Sequence, residues 1–499
     1  MSFNISSVVR DNAWRRPTAI ALREDRREMN YRELDARARG VAAALQSKGV
    51  GRGDRVLFMF PNSIDFVLTL HGVLQAGAIP VPVNSLLAVP EIRSIADDCA
   101  PKIAVVGPAG REKIGKAFED RSDAPPLVMV SELALDAPAN FNPVADTSYE
   151  DTAVILYTSG TTGKPKGVEL SHANVFWNAQ LFARDLLRLT PADRVLAVLP
   201  MSHISGHTCA LTAALFAGAS VTLMPRFEAE TVMRVIARDR ITIMLGVPTM
   251  FWALLDAPTP EGLDLTSLRG CTSGGQALPE DVHRRFEARF GVEIAEGYGL
   301  TETSPNISTN LFGGSKRIRS VGQAVWGVEV RIVDEAGADV AAGERGEVIA
   351  RGPGIMKGYF RNPDATASTI RDGWLYTGDI GYFDADRYLY IVDRKKELII
   401  AGGYNIYPRE IEDVLYAHPD VLEAIVIGRA DEKLGEKPVA HVVARAGRNL
   451  DADELRAFCA ERISRYKIPR AFVIETALPK GPTGKIDRKA MKAMGVGRK

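Results

Sequence analysis

Apolar residues recur at helical spacing through Tyr31, Leu34, Ala38, Val41, Ala42 and Leu45, and Gly49 is placed to end that helix. The pattern then tightens into the run 54–60, which reads as a strand. Ser63 can cap a following helix whose apolar face includes Phe66, Val67, Leu70 and Val73. A short extended run covers 78–83, a helix 90–99 and a strand 102–106. This alternation predicts α/β layering. A polar, irregular connection occupies 131–151, and further strands read at 193–200, 219–224 and 241–247 with helical segments between them. The β-prone runs 268–275 and 292–299 each end in glycines. In α/β folds, ligands gather where strands end in loops.

The texture changes from Val321. Residues 328–334 and 346–351 alternate at period two and predict antiparallel strands, with turns at 335–337 and 342–344. A further strand covers 388–392, and the very polar stretch Asp393-Arg394-Lys395-Lys396-Glu397 marks a domain boundary. Beyond it the pattern predicts a helix at 408–418, strands at 424–428 and 439–444, and a helix at 453–466. The expected fold is therefore α/β: a large N-terminal domain, 1–395, of layered α/β subdomains with a β-rich portion, and a small α/β C-terminal domain, 396–499.

Composition narrows the function. The chain of 499 residues suits two or more domains, and 46% hydrophobic with 25% charged residues is the make-up of an ordinary soluble globular protein. Lysine plus arginine equal aspartate plus glutamate at 62 each, so nothing points to nucleic acid. Four scattered cysteines without a CxxC pair suit a reducing compartment. No apolar run is long enough to span a bilayer, and neither end reads as a targeting or lipidation signal, so a cytoplasmic enzyme is expected.

The candidate chemistry starts at Tyr157-Thr158-Ser159-Gly160-Thr161-Thr162-Gly163-Lys164-Pro165-Lys166-Gly167, after the apolar run 153–156. Its glycines free backbone N–H groups for an anion, its hydroxyls donate and its lysines supply charge, which suits a polyphosphate. It is not a Walker A loop, because Thr158 and Pro165 stand where that pattern needs Gly and Ser/Thr. Gly297-Tyr298-Gly299-Leu300-Thr301-Glu302 offers an aromatic face for a purine, a hydroxyl, and a carboxylate suited to Mg²⁺. Asp379 and Arg394 supply groups that could meet ribose hydroxyls. Lys485 lies in a Pro/Gly-rich loop able to carry an ammonium to a developing negative charge. His203 and His207 are four apart with Cys209 nearby, but no third metal ligand or general-base carboxylate accompanies them, so a pocket wall is the better reading than zinc. No Gly-x-Ser-x-Gly elbow supports a serine hydrolase.

In order along the chain, 157–167, 297–302, Tyr376-Thr377-Gly378-Asp379, 393–397, 402–412 and Pro482-Thr483-Gly484-Lys485 resemble the signatures of the adenylate-forming superfamily: acyl-CoA synthetases, adenylation domains and luciferases. The resemblance covers nearly the whole chain and looks closest to bacterial fatty-acyl-CoA ligases. It implies a carboxylic acid, ATP with Mg²⁺, and coenzyme A, joined through an acyl-adenylate, with a C-terminal domain that rotates between the two steps. It implies that Lys485 and the loop Thr158, Ser159, Gly160, Thr161, Thr162, Gly163, Lys164 and Lys166 meet the phosphates, and that Glu302 holds the metal. Tyr298 would stack on adenine, Asp379 and Arg394 would hold ribose, and Gly297, Gly299, Gly275 and Gln276 would complete the nucleotide site. Lys396 matches the hinge, Gly402 and Gly403 the thiol channel, and His203 and Thr301 the surroundings of the reacting carboxylate. The acyl tail would run between 203–209 and 247–276. Ser202 and His207 depart from the family's usual apolar pattern; a polar pocket follows if they face it, and none if they face elsewhere. A ligase passing the acyl group to an amine or carrier protein is the alternative.

Overall fold

The computed structural model describes residues 3–133, 145–158, 165–402, 404–481 and 485–494. After a short helix Ser7–Arg15, the amphipathic helix expected from the sequence spans Tyr31–Ser47, opened by a reciprocal capping box between Asn30 and Glu33. Ser63 Oγ accepts from the Phe66 N–H at 3.2 Å and starts the helix Ile64–Gln75.

The strands Ile20–Glu24, Ser220–Leu223, Arg194–Ala197, Ile243–Gly246, Gly270–Ser273 and Ile294–Gly299 lie side by side in that order, all parallel. Antiparallel strands close both edges: Arg27–Asn30 on one side, Asn306–Thr309 and then Gln323–Ala324 on the other. Parallel strands must be covered on both faces, which explains their continuous apolar runs. A second parallel sheet joins Ile79–Pro82, Arg55–Met59, Ile103–Val106 and Leu127–Met129. One buried cluster includes Leu22, Phe58, Leu68, Val195, Phe251 and Phe286. Phe251 and Phe286 meet edge to face at 5.0 Å, and burying each such ring stabilises the fold by about 2–3 kcal/mol.

Residues 329–394 form the expected antiparallel sheet, with Glu329–Val333 paired to Gly346–Arg351 and Trp374–Phe383 paired to Leu389–Arg394. The last sheet unites Ile399–Ala401, Tyr404–Ile406, Val421–Asp431, Gly435–Ala444 and Ala471–Glu475. It has a core of its own, with Ile411, Val426, Val442 and Leu455. Two local details differ from the periodicity. The helix expected at 453–466 ends at Ala460, and Arg465–Lys467 forms a separate tight turn after Ser464, whose hydroxyl suits a turn better than a helix interior. Phe182–Leu186 and Ser205–Thr212 wind as π-helix, with an extra residue per turn. Among the described residues, no helix is long and apolar enough to cross a membrane.

Candidate active site

The carboxyl ends of the parallel strands converge. After Arg194–Ala197 the chain turns under Asn62, whose Nδ2 donates to Ala197 O (3.0 Å) and Leu199 O (2.9 Å) while its Oδ1 accepts from Met201 N. That clamp delivers His203 to the strand ends. Its Nδ1 accepts from the Ser205 N–H at 3.3 Å, which leaves the proton on Nε2. Burial, helped by the nearby Lys485, pushes the imidazole down to about 3, so His203 is neutral at physiological pH.

Gly270–Ser273 ends in Gly274-Gly275. Gly275 has φ +82°, the left-handed region that favours glycine, and a Cβ built on it would sit 2.5 Å from Lys485 Nζ, so a side chain there would push the lysine aside. Lys485 comes from the far end of the chain, and its backbone O accepts from the Gly481 N–H at 2.7 Å; Pro482, Thr483 and Gly484 lie outside the described residues. Burial first, then the Arg394 charge, lowers its ammonium to about 8, against the attraction of Asp379. Lys485 therefore stands among His203, Arg394 and Asp379.

Asp379 and Arg394 are cross-strand partners in register, which is why they meet. Arg394 Nε lies 3.1 Å from Asp379 Oδ1, and the Tyr298 hydroxyl donates to Oδ2 at 2.7 Å. Both carboxylate oxygens of this 3% exposed side chain are thus engaged. Burial lifts the Asp379 carboxyl above the usual range, and Arg394 opposes the lift. Tyr298 reaches this position because Ile294–Gly299 bulges between Tyr298 and Gly299 against Asn306–Thr309. At Gly299 a Cβ would fall 1.6 Å from Pro305 O. Gly297 lies in the same strand, and Thr301 is buried at the start of the turn Thr301–Thr303.

Thr158 and Lys166 are paired residues at the base of a hairpin; Ser159, Gly160, Thr161, Thr162, Gly163 and Lys164 between them lie outside the described residues, as does Gly403. Lys166 Nζ sits 4.7 Å from the Tyr359 ring centroid, and the Tyr359 hydroxyl donates to Glu302 Oε1 at 2.8 Å. This tyrosine, which sequence reading did not single out, ties the loop base to the carboxylate proposed for a metal. Lys396 lies on an exposed turn two residues past Arg394. Gly402, at φ +58°, donates its N–H to Leu434 O at 2.8 Å.

Gln276, next to Gly275, lines with Trp252, Tyr416 and Arg409 a cavity of about 270 Å³ between the helix Pro248–Asp256 and the C-terminal sheet unit. His207 is buried in the π-helical turn, near enough to His71 to oppose that ring's charge. Burial holds His207 down at about 4, and its Nε2 has no hydrogen-bond partner among the described residues. Glu296, buried, and Arg409, half-buried where the two units meet, were also missed; the signal was a carboxylate inside the β-prone run before Gly297.

Comparison with known proteins places this arrangement. Residues 9–360 match the AMP-binding enzyme family model, and 410–485 match the AMP-binding enzyme C-terminal domain. The long-chain-fatty-acid–CoA ligase of Bacillus subtilis (strain 168) is 34% identical, over 98% of this chain and 94% of that protein. The indoleacetate–CoA ligase of Aromatoleum aromaticum is 37% identical, over 94% of each. ATP-bound MatB from Rhodopseudomonas palustris superposes with a TM-score of 0.92 at 32% identity, over 99% of both chains. Apo MatB, at 31% identity and the same coverage, gives 0.79. The chain belongs to the AMP-binding enzyme family. Within it, the fold and the relatives are those of adenylate-forming acyl-CoA ligases.

Proposed function

We propose that this protein is an ATP-dependent carboxylic acid–CoA ligase, with a fatty acid as the first candidate acid. The observation that carries the reading is the meeting of Lys485 with His203, Asp379 and Arg394 at the ends of glycine-terminated parallel strands.

In the first half-reaction a carboxylate oxygen of the acid bonds to the α-phosphorus of ATP. The Pα–O bond to the β-phosphate breaks, and pyrophosphate leaves with the electron pair. Two anions must approach, so the site needs positive charge placed beforehand. Lys485 supplies it from the C-terminal side, and Thr158, Lys166 and the loop between them from the other. Tyr298, Asp379 and Arg394 orient the nucleoside, and Thr301 and neutral His203 border the carboxylate. Glu302 suits magnesium: one carboxylate beside substrate phosphates is a usual set for that ion, and one of its oxygens is steadied by Tyr359. Bound there, the ion would screen the phosphate oxygens.

In the second half-reaction the sulfur of the CoA thiol bonds to the acyl carbon, the bond from that carbon to the phosphate oxygen breaks, AMP leaves with the oxygen and the electron pair, and the thiol proton passes to solvent. Lys485 has no task in this step. We propose that the domain beyond Lys395 turns about Lys396 and brings Gly402 and Gly403 to the pantetheine path. The greater likeness to ATP-bound than to apo MatB supports reading the present arrangement as the adenylating one. A cytoplasmic location fits the same reading, since ATP and CoA are cytoplasmic substrates.

The test is a panel of aliphatic, aromatic and polar acids scored by pyrophosphate release, with and without CoA. A thioester formed with at least one acid supports the proposal. Consumption of an amine, with no thioester from any acid, overturns it.

A further inference from the structure

We infer that Arg409 is a positioning residue for the adenylating half-reaction: with Glu296 it clamps the 275–278 loop from two sides and so fixes where Lys485 comes to rest. The inference rests on the adenylation reading above.

The loop has one close contact and two hydrogen bonds within four residues. Gly275 lies against the end of the Lys485 side chain. Ala277 O accepts from Arg409 Nη2 at 3.3 Å. The Leu278 N–H donates to Glu296 Oε1 at 2.9 Å. Glu296 belongs to the strand Ile294–Gly299, two residues before Tyr298. Arg409 belongs to the helix Pro408–Tyr416 of the C-terminal sheet unit. The same short loop therefore touches the moving lysine, is anchored from the N-terminal side by a carboxylate, and is gripped from the C-terminal side by a guanidinium.

Arg409 is held rigidly enough to do this. Its Nε donates to Asp413 Oδ1 at 2.6 Å, and its backbone N–H donates to Asp393 Oδ2 at 2.9 Å. Asp413 in turn meets Arg319 at 3.1 Å. Glu296 is 2% exposed, and its Oε2 has no hydrogen-bond partner among the described residues. A buried carboxylate with one free oxygen is costly unless a cation faces it. The charged groups that bear on it come from the helix Pro408–Tyr416: Arg409 attracts and Asp413 repels. Glu412 and Tyr416 of that helix act on Arg409. Burial pushes Glu296 up to about 7, and Arg409 works against the rise. The attraction between the two exists only while Glu296 is ionised, above that pH.

The experiment compares Arg409→Ala, Arg409→Lys and Glu296→Gln with the wild type in two assays. One is acid-dependent ATP–pyrophosphate exchange; the other is thioester formation from supplied acyl-adenylate and CoA. Losing a charged hydrogen bond at the loop should lower exchange in Arg409→Ala about tenfold, with thioester formation changed by less than about twofold and Arg409→Lys in between. The ratio of wild-type to Arg409→Ala exchange should be larger at about pH 8 than at about pH 6, and combining Arg409→Ala with Glu296→Gln should flatten it. Equal loss in both half-reactions, or a ratio that ignores pH in the Glu296 background, overturns the inference. If Arg409→Ala fails to fold, the pH profile of Glu296→Gln decides instead: loss of a titration near neutrality supports the clamp, and an unchanged profile overturns it. Wild-type exchange with no acid at all would overturn the adenylation reading itself.

Discussion

Replacing Lys485 with alanine should separate the two half-reactions. In its present position the ammonium is lowered from the ordinary lysine value of 10.5 to about 8. That shift means that holding the charge in this half-buried site, even with Asp379 nearby, costs about 3 kcal/mol. The sign follows from linkage. A group whose value falls on docking releases a proton, so the docked arrangement gains stability as pH rises from about 8 to 10.5, while the docked ammonium loses its charge as pH rises through about 8. At pH 7 the lysine is still about nine-tenths charged. On the proposed reading, an incoming triphosphate offsets the cost, and the developing charge at the α-phosphorus uses it. Removing one such preorganised donor costs about 3–4 kcal/mol, or roughly 10²–10³-fold. Lys485→Ala should therefore lose about that factor in acid-dependent ATP–pyrophosphate exchange. Thioester formation from supplied acyl-adenylate should stay within about threefold, because no anions need to be brought together in that step. Wild-type exchange should also decline as pH rises above about 8. Equal losses in the two assays, or exchange that is flat through that pH range, would refute the reasoning.

Three further outcomes can be measured. Asp379→Asn should raise the KM for ATP at least about tenfold and leave the KM for CoA unchanged, since it loses the charge that pairs with Arg394. Gly299→Ala should destabilise the fold by more than about 3 kcal/mol, read as a lowered denaturation midpoint, because its Cβ would fall 1.6 Å from Pro305 O. Gly403→Leu should slow thioester formation while sparing pyrophosphate exchange; unchanged CoA kinetics would remove the proposed channel from that position.

The parts of the fold written in local signals were legible. The helix Tyr31–Ser47 follows its period, Ser63 caps the helix after it, and the glycines at 274–275 and 297–299 mark strand ends. The site was legible as residue types in order, because each motif is short and contiguous. What eluded the reading depends on contacts distant in sequence. Tyr298 was expected to offer its ring face, yet its hydroxyl also closes the Asp379 carboxylate. Tyr359 and Arg409 carry no local mark of their partners, Glu302 and Ala277. The π-helical turn around His207 adds a residue to a winding that period counting assumes regular, so it could not be foreseen which way that histidine faces.

The two sheet units keep separate cores, and much of what joins them is charge on charge: Arg345 with Glu410 at 2.5 Å, Arg319 with Asp413 at 3.1 Å, and Arg445 with Asp256 at 3.7 Å. Partly exposed pairs like these contribute about 0–1 kcal/mol each. A seam of that kind works as a fastener rather than a weld. It aligns the halves when they meet, leaves only a small apolar contact, Trp252 against Tyr416, to be uncovered when they part, and loosens as ionic strength rises. If each turnover opens and recloses it, the ease of parting matters as much to throughput as the fit of the closed state.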